Sequence, residues 1–158
     1  MSMSTIGVPL EGFGVYCRAA AAEGAVLLKN EGHMFPLKKE EMVSVFGRCQ
    51  FETYRSGTGS GGAVNVPYAV NIYDGMRESG SFTLNEELAD IYRAWLKDHP
   101  FDNGGGGWAA EPWHQKEMVI TEEIAAAAAE KSEKAIFIIG RTAGEDKDYA
   151  NEAGSYLL

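Results

Sequence analysis

The chain has 158 residues, and its hydrophobic fraction of 45% and charged fraction of 23% are ordinary for a globular domain. Its formal net charge of −9 disfavours binding to nucleic-acid phosphates or to an anionic membrane surface. We identify no secretion signal and no apolar stretch long enough to span a bilayer, so cytoplasmic residence is the default expectation. Two cysteines are too few for a disulfide framework, and we expect reduced thiols.

The first half of the chain predicts a helix and two strands. An alanine-rich run from Val15 predicts a helix that Gly24 ends. The short apolar run at residues 26–28 suits a strand. Residues 42–46 predict a second strand, which ends at Gly47.

The second half predicts three helices and two further strands. Pro67 suits the first turn of a helix that runs to about residue 78, and residues 82–84 suit a short strand. An amphipathic helix is predicted at residues 86–98 after the cap Asn85, and an alanine-rich helix at about residues 122–132 after the cap Thr121. Residues 135–139 form a continuous apolar run, which predicts a strand buried on both faces. A helix, a buried strand and then a polar loop are typical of a parallel α/β sheet in one domain.

A glycine- and serine-rich loop spans residues 55–62, and its glycines at 57, 59 and 62 formally match GxGxxG. The match is weak, because nine residues separate Gly47 from Gly57 and the acidic residues about 20 positions on fall on a helix. Three interpretations stay open: a flexible turn, a nucleotide site, and hydrogen bonding to a polyol by Ser60 and backbone amides.

A second polar loop follows the strand at 135–139 and holds three carboxylates, Glu145, Asp146 and Asp148. A carboxyl group at the end of a buried strand can be partly desolvated, which raises its pKa and suits a general acid. Composition alone favours a solvated acidic loop. The spacing is not that of an EF-hand and no histidine is near, so we expect no metal and no cofactor.

An irregular loop at residues 99–115 contains four consecutive glycines and two tryptophans, Trp108 and Trp113. It is open to three interpretations: a flexible exposed loop, an aromatic rim around a substrate, or a loop that packs on a missing partner. The three histidines, at positions 33, 99 and 114, show no catalytic order and are expected to be surface or supporting residues.

Four segments together resemble the α/β sandwich domain of family 3 glycoside hydrolases. They are residues 20–30 (with Val26-Leu27-Leu28-Lys29-Asn30) and the later Phe35-Pro36-Leu37; Val43-Ser44-Val45-Phe46-Gly47; Gly57-Thr58-Gly59-Ser60-Gly61; and residues 138–148 with Gly154-Ser155-Tyr156-Leu157. The resemblance implies a three-layer sandwich with a mainly parallel sheet flanked by helices, over residues 1–158, with the sheet incomplete.

Carried over position by position, the resemblance implies that Glu145 is the catalytic acid/base. Ser60 and Gly59 would lie near the glycone subsite, and Asp148 would support the loop. Tyr149 stands where similar proteins often have an arginine.

Such enzymes use a barrel domain that carries an aspartate nucleophile, and no segment of this chain resembles it. The sequence before residue 12 is too short for a barrel. If the chain is intact at its start, the resemblance implies an N-terminal fragment of a retaining β-glucosidase, with the sandwich first and the barrel afterwards. Its partners would be a β-glucoside and the missing barrel domain, and the isolated chain would be inactive. A non-catalytic carbohydrate-binding module and a nucleotide-binding domain are the alternatives. An exposed sheet edge would favour self-association.

Overall fold

The computed structural model describes residues 10–54, 58–63, 66, 68–146 and 148–157. The chain divides into two units, Met1–Pro36 and Leu37–Leu158. All the candidate site residues lie in the second unit. The assignment of residues 1–158 to one domain stays a prediction.

The first unit contains the helix α1, Phe13–Gly24, as the alanine-rich composition predicts. The predicted strand at residues 26–28 is wrong, because this segment has no regular structure and the Leu28 side chain is 92% exposed. A β-strand requires a neighbouring strand to accept and donate its backbone hydrogen bonds. In the described residues, this segment pairs with no strand.

The second unit is built on a parallel sheet of three strands. The strands are β1 (Met42–Phe46), β2 (Thr83–Leu84) and β3 (Lys134–Phe137), and the three longer helices are α2 (Ile72–Ser79), α3 (Glu86–Asp98) and α4 (Glu122–Lys131). The strand order is β2-β1-β3, and both pairs are parallel. Because β1 and β3 are parallel neighbours, the loops that follow them leave the sheet at the same end.

Side-chain caps fix where the helices begin. The side chains of Asn71, Asn85 and Thr121 each accept a hydrogen bond from a backbone amide in the first turn of α2, α3 and α4. The Asn71 cap explains why α2 starts at Ile72 and not near Pro67, which lies outside the described residues.

The core consists of two clusters on opposite faces of β1. Val43 and Val45 pack with Tyr73 of α2, whereas Phe46 packs with Tyr92 of α3 and Ala128 of α4. Alternate residues of a strand point to opposite faces, so helices cover the sheet on both sides. The α/β sandwich with a parallel sheet is therefore confirmed.

The strand β3 differs from its prediction as a strand buried on both faces. It pairs with β1 on one side, and the side chain of Phe137 is 69% exposed although its ring stacks on Phe46 at 4.8 Å. Ile139, just beyond the strand, is 70% exposed. An apolar run indicates that a strand can be buried, but burial also requires other strands or helices to pack against it.

No helix among the described residues is long and apolar enough to cross a membrane. Cys17 is exposed and Cys49 is buried, and neither forms a disulfide. Burial raises the pKa of the Cys49 thiol to about 11.

Candidate functional site

Two loops that are distant in sequence pair through their backbones. The glycine-rich loop contributes Thr58, whose amide donates a 2.8 Å hydrogen bond to the carbonyl oxygen of Ala143 in the polar loop after β3. Thr58 and Gly144 form an isolated parallel bridge. The pairing aligns the two loops side by side and brings the residues that follow in each of them together.

Glu145 lies directly beyond this bridge and faces the glycine-rich loop. Its Oε2 atom accepts a 2.8 Å hydrogen bond from the backbone amide of Ser60. The Glu145 side chain is exposed, Gly59 is half-buried and Ser60 is exposed. The structure thus brings together three of the predicted site residues in a position that a ligand can reach.

Two glycines permit this close approach. A Cβ atom at Gly59, where φ is +82°, would lie 2.7 Å from Oε2 of Glu145. A Cβ atom at Gly144, where φ is +157°, would lie 2.4 Å from the carbonyl oxygen of Thr58. A larger residue at Gly59 would displace the Glu145 side chain, and one at Gly144 would force the two backbones apart.

The pKa of Glu145 is lowered, as suits the solvated loop that composition favours and not a desolvated general acid. Hydrogen bonds from the amide and then the hydroxyl of Ser60 lower the pKa of Glu145, and the opposing effect of desolvation is smaller. Both hydrogen bonds stabilise the charged carboxylate. The sequence indicated a strand end, but it could not show that the loop leaves the side chain exposed.

The glycine-rich loop does not have the geometry of a dinucleotide-binding turn. Residues Gly59–Ala63 form a 3-10 turn, and the next α-helix begins only at Ile72. A dinucleotide fingerprint requires the glycines to lead directly into a helix whose N-terminus binds the pyrophosphate. Gly57, the first glycine of the formal motif, lies outside the described residues.

The segment of residues 99–116, which we call the tryptophan loop, is tied together at its base. The guanidinium group of Arg48, which is 2% exposed, donates to the carbonyl oxygens of His99 at 2.8 Å and Lys116 at 2.7 Å. Gln115 is also buried, and its amide exchanges two hydrogen bonds with the backbone of Asp102. The two ends of the loop are therefore held by buried polar groups.

The same loop contacts the segment that carries Glu145. The indole nitrogen of Trp108 donates a 2.9 Å hydrogen bond to Oδ2 of Asp146, and the carbonyl oxygen of Trp113 accepts one of 2.9 Å from the Thr142 amide. The Trp113 ring stacks on Tyr149 at 5.0 Å. Tyr149 thus gives the polar loop an aromatic contact.

Sequence reasoning missed both Arg48 and the contact between Trp108 and Asp146. The signal for Arg48 was its place directly after the glycine that ends β1, where a long side chain can turn back under a neighbouring loop. Nothing in the sequence pairs Trp108 with Asp146, which lie 38 positions apart.

Three further predictions concern Asp148, a metal site and the histidines. Asp148 is exposed, and its role in loop support stays a prediction. In the part of the chain that the structure describes, no group of three or more His, Cys, Asp or Glu side chains is placed to hold a metal ion. His99 stacks on Trp95 at 4.2 Å, and a Cβ atom on Gly154 would overlap the His114 ring, so both histidines have packing contacts.

Comparison with known proteins decides the family. The sequence model of the glycosyl hydrolase family 3 C-terminal domain matches residues 25–155. The chain belongs to glycosyl hydrolase family 3. It is 51% identical over 137 residues to a β-glucosidase from Ruminococcus albus, which covers 87% of this chain and 14% of that protein. It is 36% identical over 129 residues to β-glucosidase A from Butyrivibrio fibrisolvens, which covers 82% of this chain and 15% of that protein.

Solved structures of β-glucosidases share the fold. A β-glucosidase from Paenibacillus barengoltzii matches with a TM-score of 0.95 and 65% identity, over 99% of this chain and 17% of that one. β-Glucosidase 3B from Thermotoga neapolitana, in complex with α-D-glucose, matches with a TM-score of 0.79 and 31% identity, over 92% of this chain and 20% of that one. This family 3 chain therefore spans about one seventh to one fifth of the length of these relatives.

Proposed function

We propose that this domain supplies the general acid/base of a retaining β-glucosidase and that Glu145 is that group. The observation that carries the proposal is the position of Glu145 at the end of the paired loops, exposed and directed at the Ser60 amide. A carboxyl group presented in this way can reach a glycosidic oxygen bound across the glycine-rich loop. The β-glucosidase relatives at 51% and 65% identity support the reaction class.

The proposed mechanism needs a second carboxylate from another domain. In retaining hydrolysis that carboxylate attacks the anomeric carbon while the acid protonates the departing oxygen, and the two groups lie about 5–5.5 Å apart. A water molecule then attacks the glycosyl–enzyme bond, and the same acid/base accepts its proton. The relatives are several times longer than this chain, which leaves room for a barrel domain that carries the nucleophile.

The lowered pKa of Glu145 fits only half of this cycle. In the described chain the Ser60 hydrogen bonds favour the carboxylate, which is the form that accepts a proton from water. The first step requires the protonated form. A neighbouring nucleophile carboxylate and the loss of water from a closed cleft would both raise the pKa of Glu145. We therefore propose that the second domain completes the acid as well as the cleft, and that the isolated chain does not hydrolyse glycosides.

A chimaeric enzyme provides a direct test. This chain replaces the matching segment of the P. barengoltzii β-glucosidase, to which it is 65% identical. The chimaera should hydrolyse aryl β-glucosides, and Glu145→Ala should lose that activity and regain part of it when azide is added with an activated aryl substrate. Glu130→Ala, which removes an exposed carboxylate on α4, is the matched control.

Two results would contradict the proposal. The first is a folded chimaera without β-glucosidase activity. The second is a Glu145→Ala chimaera that keeps the activity of the unsubstituted one. Hydrolysis of aryl β-glucosides by the isolated chain would separately disprove the requirement for a second domain.

A further inference from the structure

We propose that Trp108 contacts the leaving group of the substrate and sets the preference for leaving groups with a flat face, namely aryl groups and sugar rings. The proposal rests on the proposed role of Glu145. Arg48 fixes the base of the tryptophan loop, and the tip of that loop reaches Asp146, the residue next to Glu145.

The two tryptophans of this loop are held differently. Trp113 is half-buried, and its ring stacks on Tyr149. Trp108 donates its indole N–H to Asp146, yet its side chain stays 61% exposed. Trp113 thus has a neighbour in the fold for its ring, whereas Trp108 is anchored by its edge and presents much of its surface to solvent.

An anchored but exposed indole is suited to binding. Burial of an aromatic surface is favourable, and the hydrogen bond to Asp146 already restricts the side chain, so less conformational entropy is lost when a ligand covers it. Carbohydrate C–H faces and aryl rings offer the flat apolar surface that such a ring can cover.

The position beside Glu145 determines which half of the substrate is covered. A general acid protonates the oxygen that joins the glycone to the leaving group. Ser60 and Gly59 approach Glu145 from the glycine-rich loop, where the glycone is proposed to bind. The tryptophan loop approaches the next residue, Asp146, from a different segment of the chain. The geometry therefore points to Trp108 as a contact of the departing group.

The test compares two substrates in the chimaeric enzyme. Phenyl β-glucoside has a flat aromatic leaving group, whereas the leaving group of methyl β-glucoside has no flat face. Trp108→Ala should lower kcat/KM for phenyl β-glucoside about tenfold and change kcat/KM for methyl β-glucoside less than about twofold. Trp108→Phe keeps an aromatic face without the indole N–H and should retain most of the preference for the phenyl substrate.

Trp113→Phe is the matched control. It removes the 3.0 Å hydrogen bond from Trp113 to Glu152 but keeps a ring on Tyr149, and it should not alter the ratio of the two kcat/KM values. An equal loss on both substrates in Trp108→Ala would show that Trp108 only supports the Glu145 loop and would overturn the proposal, as would unchanged kinetics. Failure of the Glu145 assignment is a separate result. It would appear as retained activity in the Glu145→Ala chimaera, independently of the kinetics of Trp108→Ala.

Discussion

The Ser60 amide and the Glu145 carboxylate meet at 2.8 Å although they lie 85 positions apart in the chain. The bridge between Thr58 and Gly144 precedes both residues and sets their register. The site is thus organised by backbone pairing between two loops.

Gly59→Ala should displace Glu145. The added Cβ would lie 2.7 Å from the carboxylate, and a positive φ costs an L-residue about 1–2 kcal/mol. We expect kcat/KM of the chimaeric enzyme to fall by up to about 100-fold, because a displacement near 1 Å can have that effect. Gly61→Ala is the control, since a Cβ there meets nothing within 4 Å. Equal kinetics for the two variants would contradict the prediction.

Glu145 should titrate below the ordinary glutamate pKa of about 4.3 in the isolated chain. Because the folded-state pKa is lowered, the hydrogen bonds of Ser60 favour the folded state above the unfolded pKa, and this contribution is lost as the pH falls through the folded pKa. Carbon-detected NMR titration measures the value directly. Ser60→Ala removes the hydroxyl and keeps the amide, so the pKa of Glu145 should rise only part of the way toward its ordinary value. A Glu145 carboxyl that titrates at or above about 4.3 in the unsubstituted chain would contradict this account.

Arg48→Ala should strongly destabilise the second unit. Arg48 is 2% exposed, pairs with Glu52 and donates to two carbonyl oxygens at the base of the tryptophan loop. Removing one partner of a fully buried ion pair costs roughly 3–5 kcal/mol, and because the Glu52 side chain is 25% exposed we expect a loss near the lower end of that range. Urea unfolding of the isolated chain measures the change. Arg77→Ala breaks an exposed pair with Asp74 and should cost less than about 1 kcal/mol, so a similar effect of both changes would refute the role of Arg48.

The isolated chain should self-associate through β3. This strand pairs with β1 on one side, and the nearby side chains of Phe137 and Ile139 are largely exposed. Light scattering over a concentration series should show a dimer or larger species, and Phe137→Lys should shift it to the monomer. Val119→Lys replaces an apolar side chain that is 80% exposed and lies outside the strand, and it should leave the association unchanged. A chain that stays monomeric at high concentration would rule out this edge as an interface.

Local signals in the sequence predicted most of the second unit. The helix at Glu86–Asp98 has the predicted bounds because its Asn85 cap and its apolar spacing are properties of contiguous residues. The false strand at residues 26–28 and the wrongly buried β3 share one cause: both patterns are apolar, and neither contains information about a neighbouring strand.

The site was less accessible to sequence reasoning. Composition alone favoured a solvated loop around Glu145, and only the resemblance to a family placed Glu145 and Ser60 in one site. The direction of the Glu145 pKa shift could not be read from the sequence, because it depends on an amide 85 positions away. A buried arginine is similarly hard to predict, since arginine is mostly exposed and Arg48 is buried only because two carbonyl oxygens and Glu52 surround it.

The main-chain pairing of the two loops has a consequence for how this scaffold can change. The bridge at Thr58 and Gly144 depends on peptide groups and on the small size of glycine, so it tolerates replacement of the side chains around it. Trp108 reaches the same place from a separate segment. Libraries that vary the tip of that segment can therefore be screened for new substrate preferences while the Glu145 carboxylate keeps its placement.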